Sequence, residues 1–326
     1  MMSNSRSDSR DHVSRRVVFF GRRCRLSAEP LQALLEADID IVAVVIPART
    51  IPGRPTTPVR RVPPRARGHR PRMAGTVDIA TVDDLVDTAR VPLLEFGGLR
   101  HRDVAAVLQS LSPAVFAVSC FPWRIPSTLL RLPEIAALNA HPSLLPRHRG
   151  PDPLFWTYYG FESQSGITIH QMTGQFDAGD VVLQEPLDVP TGQPGDVLEA
   201  RCSVLAAQFL AQATRAALDG TMRTHAQDPR EVTYEGWPEP RSLRLDPSWT
   251  PEQAYHFARG VIPLGYEPTV EIDGRTHVVR EVARRGEEMK PPGRHGERLS
   301  VMRWGSGELR LRVEVESPPL SARPAS

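Results

Sequence analysis

Apolar and polar positions along this chain alternate between two periods. Val17 to Phe20 and Ile41 to Ile46 are short β-rich apolar runs, and Ala28 to Ala37 between them repeats its apolar positions at helical spacing. Strand, helix and strand in that order open a βαβ unit. The rhythm resumes with a helix over Val82 to Ala89, a strand over Val91 to Phe96, a helix over Asp103 to Leu111 and a strand over Ala114 to Cys120. Further on come a helical turn from Leu154 to Tyr159, strands over Gly166 to Met172 and Val181 to Gln184, and an amphipathic helix from Asp196 to Leu218. Such alternation predicts an α/β fold with a mostly parallel, Rossmann-like sheet.

The run Ile135 to Gly150 reads I-A-A-L-N-A-H-P-S-L-L-P-R-H-R-G. Its apolar first half is short and bracketed by Pro133 and Pro142, which suits a buried strand better than a helix. Asn139 and His141 then fall two residues apart on one strand face, at the carboxyl end where open parallel sheets place their sites. An amide and an imidazole there, followed by a proline-shaped loop and Gly150, form a candidate polar site.

The pattern changes after Gly220. Asp228 to Asp246 holds several prolines and no periodicity, and Thr250-Pro251-Glu252-Gln253 is a capping-box start for a helix reaching Arg259. Short runs over Thr269 to Ile272, His277 to Val282, Arg298 to Arg303 and Glu308 to Val315 then predict a small β-barrel, OB-like in size. The expected organisation is a disordered tail over 1–15, an α/β catalytic domain over 16–225, a linker over 226–246, a β-barrel-like domain over 247–316 and a tail over 317–326.

Composition narrows the class. With 326 residues, 40% hydrophobic and 24% charged, the chain has the makeup of a soluble globular protein. No apolar run approaches the ~18 residues that a membrane helix needs, and M-M-S-N-S-R-S-D-S-R has no apolar signal core, so the expected location is the cytoplasm without membrane association. Cys24, Cys120 and Cys202 are far apart with no C-x-x-C spacing; each reads as a small buried hydrophobe, and no metal is expected. Gly21-Arg22-Arg23-Cys24 lacks the G-x-G-x-x-G turn of a dinucleotide site.

A net charge of +2 does not by itself argue for nucleic acid. Its distribution is uneven. Lys290 is the single lysine, and Pro47 to Met73 carries arginines at 49, 54, 60, 61, 65, 67, 70 and 72 among prolines, with no acidic residue. That segment reads as an exposed loop, able to contact phosphates or merely solvated.

N-A-H-P-S-L-L-P-R-H-R-G-P-D-P, followed by G-I-T-I-H-Q-M and F-D-A-G-D-V-V, resembles the tetrahydrofolate-dependent formyltransferases, most closely the members that formylate methionyl-tRNA. The resemblance runs from about residue 17 to 315 and is strongest over Asn139 to Asp180. It implies a catalytic trio of Asn139, His141 and Asp177, and a pocket for 10-formyltetrahydrofolate lined by Phe121, Pro122, Trp123 and Ile125 and by Ser143, Leu144, Leu145, Pro146 and Gly150. It further implies an initiator tRNA partner, held by the arginine segment 47–73 and the C-terminal domain of a monomer. A small amine such as an amino sugar is the alternative acceptor. F-P-W-R-I-P and Pro151-Asp152-Pro153 depart from the tRNA enzymes' pattern where they would border the pocket. His148, His170 and Asp180 receive no role and read as structural.

Two other classes remain open to test. Ser143, His141 and Asp177 could be a hydrolase triad, although no G-x-S-x-G elbow is present. A catalytically silent RNA-binding protein would not require the amide, imidazole and carboxylate together.

Overall fold

The computed structural model of the chain describes residues 14–49, 57–63, 80–289, 297–304 and 307–315. The tails 1–13 and 317–326, and residues 50–56 and 64–73 of the arginine segment, lie outside the described residues. The larger sheet is built from β1 (Val17–Phe20), β2 (Ile41–Pro47), β3 (Val59–Val62), β4 (Leu93–Phe96), β5 (Val115–Ser119), β6 (Ala136–His141), β7 (Gln164–Gln171) and β8 (Val181–Asp188). Its order is β3-β4-β2-β1-β5-β6-β7-β8. The run from β4 to β6 is parallel, as expected for an α/β fold.

All four residues of β1 are buried, and so are all five of β5. Both faces of the sheet are therefore covered, which explains why these strands are continuous apolar runs rather than alternating ones. Val18, Phe20, Ala43, Val45, Phe116 and Val118 form one apolar cluster with Val104 and Leu108 of α3 (Arg102–Ser110). Helix α2 (Val82–Ala89) has the predicted bounds because Thr81 and Asp84 close a capping box at its start.

Helix α1 (Arg25–Glu36) starts three residues before the expected Ala28 and carries Pro30 inside it. Proline has no N–H for the carbonyl four residues back, here Leu26. That carbonyl accepts instead from the Ser119 hydroxyl, so the helix is not broken.

The arginine segment differs from its reading as a loop. Val59–Val62 is an edge strand antiparallel to β4, with Arg60 opposite Glu95. Glu95 is 3% exposed and would be a buried lone carboxylate, but Arg60 binds it from one side and Arg23 from the other, at 3.0 Å. Arg23 also forks onto Asp83 at 2.8 and 3.1 Å. Four residues of the segment thus build the sheet, and one of them, Arg60, supplies the partner that a buried charge demands.

The chain divides into two compact units that are each discontinuous in sequence. The first comprises Met1–His141, Ile169–Leu183 and Ala206–Gln227. The second comprises Pro142–Thr168, Gln184–Leu205 and Asp228–Ser326. In the second, the helices Pro153–Tyr159 and Pro251–Val261 share an aromatic core in which Phe155 meets Phe257 at 5.7 Å and Tyr266 at 4.8 Å. The aromatic group near 155–159 is thus core in part, with Phe155 and Tyr158 fully buried. Strands β9 (Thr269–Ile272), β10 (Arg275–Ala283), β11 (Glu297–Trp304) and β12 (Gly307–Val315) form a separate antiparallel, curled half-barrel ordered β11-β12-β10-β9. The predicted small β domain is present.

Candidate active site

The order of the parallel strands reverses at β1, where β2 lies on one side and β5 on the other. Crevices outside the carboxyl ends at such a reversal are where open α/β sheets bind ligands. β6 neighbours β5 in register, with Val118 opposite Asn139 and Ser119 opposite Ala140. Asn139 is half-buried and His141 is 5% exposed, the last residue of its strand before Pro142. The expected strand and its two polar residues are therefore in place.

β7 brings a residue that sequence reading left aside. His170 is 1% exposed, and its Nε2 lies 3.1 Å from the Asn139 amide nitrogen and 3.5 Å from Oδ1 of Asp177. Its Nδ1 lies 2.9 Å from the carbonyl oxygen of Gln171. A carbonyl only accepts, so Nδ1 carries the proton and, in the neutral ring, Nε2 accepts from the Asn139 N–H. His141 Nδ1 stands 3.9 Å from Oδ2 of Asp177, and the two imidazoles are nearly perpendicular at 6.2 Å. Asn139, His141 and Asp177 thus converge, with His170 among them. The signal for His170 was the alternation of Thr168 and His170 with Ile167 and Ile169 in a strand buried on both faces from Ser165 to His170.

Asp177 is held by its turn. Its φ is 48°, in the left-handed region where Asp is tolerated better than most residues. Gln227 donates its amide to the carbonyls of Asp177 and Gly179, both at 2.7 Å. Gly179 presses on the end of β7, where an added Cβ would come within 1.8 Å of the Gln171 oxygen. No other residue fits there without moving the turn that carries Asp177.

The segment expected to line a folate pocket splits by role. Phe121 packs edge-on against Phe20 at 5.4 Å and Trp123 at 5.6 Å, Ile125 is 2% exposed in the apolar cluster, and Pro122 is exposed. Arg124 donates to the Gly174 carbonyl and lies over the Phe176 ring at 5.2 Å, tying this segment to the Asp177 turn.

Within the second unit, Ser143 is fully buried, and its hydroxyl donates to the Arg147 carbonyl at 2.9 Å. That hydroxyl closes a turn, which is not the posture of a nucleophile. The Ser143 and Leu145 backbone is bound by Thr168 at 2.7 and 3.2 Å, while Gln184 donates to the Leu145 carbonyl at 2.8 Å ahead of the cis Pro146. Leu144 closes over Gly166, whose Cα would bring an added Cβ within 2.5 Å of it.

The R-H-R-G end of the loop is clamped. Residues 233–235 run beside it as a short parallel bridge: Arg149 N–H donates to the Thr233 carbonyl at 3.2 Å, and Glu235 N–H to the Arg149 carbonyl at 2.9 Å. Gly150 has φ 124°, and a Cβ there would lie 2.0 Å from the Glu235 oxygen. His148 Nε2 sits 2.8 Å from Glu162, and Nδ1 sits 3.4 Å from Glu235. Burial pulls the His148 pKa down, but these carboxylates outweigh it and leave it raised.

Among the described residues, no group of three or more His, Cys, Asp and Glu is placed to hold a metal ion, and no helix is long and apolar enough to cross a membrane.

Residues 15–214 match the family described as formyl transferase. The chain is 28% identical to the methionyl-tRNA formyltransferase of Geobacter metallireducens over 300 residues, 90% of this chain and 89% of that protein. It is 31% identical to the methionyl-tRNA formyltransferase of Anaeromyxobacter dehalogenans over 70% of this chain and 76% of that one. In fold it is similar to a sugar 3N-formyl transferase solved with dTDP and 5-N-formyl-THF, at 11% identity and a TM-score of 0.60, covering 91% of this chain and 97% of the other.

Proposed function

Because the chain belongs to the formyl transferase family, and is a formyl-transferring enzyme, we propose that its acceptor is the amino group of initiator methionyl-tRNA and its donor 10-formyltetrahydrofolate. The convergence of Asn139, His141, His170 and Asp177 carries this reading. An amide, imidazoles and a carboxylate supply what attack of an amine on a formyl carbon needs: donors for the charge that builds on the formyl oxygen, and an acceptor for the amine's proton.

In this mechanism Asn139 and His141 donate to the formyl oxygen as negative charge develops, each worth about 3 to 4 kcal/mol of barrier. Asp177 orients His141 and, directly or through water, receives the proton that leaves the attacking nitrogen. His170 holds the Asn139 amide in a single orientation. The donor set fits the formyl group of a folate donor, and Phe121 to Ile125, in the same unit as the trio, would line its pocket. When bound, the donor supplies the formyl carbon; the residues orient it and handle the proton.

The methionyl-tRNA reading is supported by the two curated relatives and by the arginines between Pro47 and Met73, although Arg60 is committed to Glu95. Transfer to an amino sugar is the second reading, favoured by the shared fold of the solved sugar enzyme. The test follows tetrahydrofolate release from 10-formyltetrahydrofolate with initiator methionyl-tRNA and, separately, with amino sugars. Release with tRNA that falls steeply with salt supports the proposal. Release with an amino sugar alone overturns it.

A further inference from the structure

We propose that Arg124 is a positioning residue that holds Asp177 beside the two imidazoles, acting through the turn over 172–180 and through the ring of Phe176. The inference rests on the role given to Asp177 under the proposed function. Arg124 stands in F-P-W-R-I-P, where this chain departs from the pattern of the tRNA enzymes, and the resemblance that marked Phe121, Pro122, Trp123 and Ile125 gave it no part.

The segment leaves β5 through Cys120, which has φ 57° and, like Cys24, is half-exposed rather than the buried hydrophobe expected of it. Phe121 and Trp123 then pack against the apolar cluster and Ile125 lies within it, whereas Arg124 is exposed. Its side chain turns to the loop after β7. There the guanidinium donates to the Gly174 carbonyl, 50 residues on, and its carbon lies 5.2 Å from the centre of the Phe176 ring. An exposed arginine gives up rotamer freedom to hold such a shape; a carbonyl bond and a cation over a ring face offset that loss.

The turn is fastened at both ends to the sheet. Met172 N–H donates to the Ala137 carbonyl of β6 at 2.7 Å, and Gln171 N–H to the Asp180 carbonyl at 2.9 Å. Gln227 takes the Asp177 and Gly179 carbonyls. Within the loop, the Thr173 hydroxyl donates to the Gln175 carbonyl at 3.1 Å and accepts from the Gln175 N–H at 3.3 Å, which shapes residues 173–175 without anchoring them. Arg124 supplies an anchor, on the residues just before Asp177.

Phe176 is 45% exposed, and Asp177 follows it in the left-handed region. A residue held there depends on its surroundings to stay, so a shift of the Phe176 backbone carries the carboxylate with it. The carboxylate stands 3.5 Å from His170 and 3.9 Å from His141, at the outer limit for a hydrogen bond. Little drift is needed to part them. Arg124, Gly174, Phe176 and the trio all belong to the first unit, and Arg124 fastens Asp177 to the segment that the proposed mechanism sets beside the donor.

The test uses the full chain, 10-formyltetrahydrofolate and whichever acceptor releases tetrahydrofolate. Arg124→Ala is expected to lower kcat by about 10- to 100-fold, the scale of a displacement on the order of 1 Å at a reacting group, and to keep the donor KM within about twofold. Arg124→Met, which keeps the stem and loses the donor and the charge, should match it. Arg124→Lys, whose ammonium can bond the same carbonyl and face the same ring, should recover kcat to within about threefold of wild type. Because Arg124 acts through Asp177, adding Arg124→Ala to Asp177→Ala should change kcat by less than about twofold. An unchanged kcat in Arg124→Ala and Arg124→Met, a loss carried by the donor KM, or an equal further loss in the Asp177→Ala background overturns the proposal. A loss that Arg124→Lys does not recover, with a lowered urea midpoint, marks a structural role and overturns it as well. Full turnover in Asp177→Ala is the failure of the mechanism itself and takes this proposal with it; a normal loss there beside an unchanged Arg124→Ala overturns this proposal alone.

Discussion

The Asn139 amide donates to Nε2 of His170 across 3.1 Å, and the direction of that bond is set on the far side of the ring, where Nδ1–H is held by the Gln171 carbonyl. In the neutral ring, reversing the amide would set the Asn139 carbonyl against a nitrogen that has no hydrogen to donate. His170→Leu should therefore let the amide turn over and lower kcat about tenfold, the cost of one net hydrogen bond of about 1.4 kcal/mol, with little change in KM. Steady-state kinetics against 10-formyltetrahydrofolate decide it; an equal loss in the two parameters would mean that His170 only supports the fold.

In the proposed mechanism Asn139, His141 and Asp177 act on charge that exists only in the transition state, so Asn139→Ala, His141→Ala and Asp177→Ala should each lower kcat by about 10²- to 10³-fold and leave folate affinity nearly unchanged. Equilibrium binding of a folate beside single-turnover rates separates the effects. Ser143→Ala should keep turnover, because the Ser143 hydroxyl is spent on the Arg147 carbonyl. Loss of turnover there would revive the hydrolase reading.

Burial pushes the Glu95 pKa up, but hydrogen bonds from Arg60 and Arg23 outweigh it and leave it lowered. A depressed carboxylate stabilises the fold above its unfolded pKa and loses that contribution as pH falls through the folded value. Glu95→Gln should therefore cost about 1–3 kcal/mol at neutral pH and much less in acid. Urea unfolding at both pH values measures the difference.

His148 has the opposite sign. Its raised pKa means that its stabilisation is complete below the unfolded value of about 6.5 and disappears as pH rises through the folded value. His148→Gln should weaken the fold near pH 6 by about 1–3 kcal/mol and leave it nearly unchanged near pH 9. A penalty that grows with pH would contradict the ion pairs with Glu162 and Glu235.

The elements most legible in the sequence were those whose local signals agreed. Val82–Ala89 combines a capping box with apolar spacing, and Ala136–His141 is an apolar run stopped by Pro142. Val59–Val62 was hidden because V-R-R-V among prolines has no apolar alternation; its strand depends on Glu95, distant in sequence. The nearness of Asn139, His141 and Asp177 was legible through the motif, but the place of His170 beside them was not, since it comes from a hydrogen bond across two strands.

The bridge that clamps Arg147 to Gly150 also bears on the order in which the chain is made. His148 N–H donates to the Thr233 hydroxyl at 2.8 Å, a partner 85 residues further on. During synthesis the loop that follows β6 must leave the ribosome and wait, its backbone donors hydrated, until the following two strands, a long helix and the proline-rich stretch have been made. The Arg147 to Gly150 loop is thus among the last features of its neighbourhood to acquire its final backbone partners, although it is encoded before the midpoint of the chain.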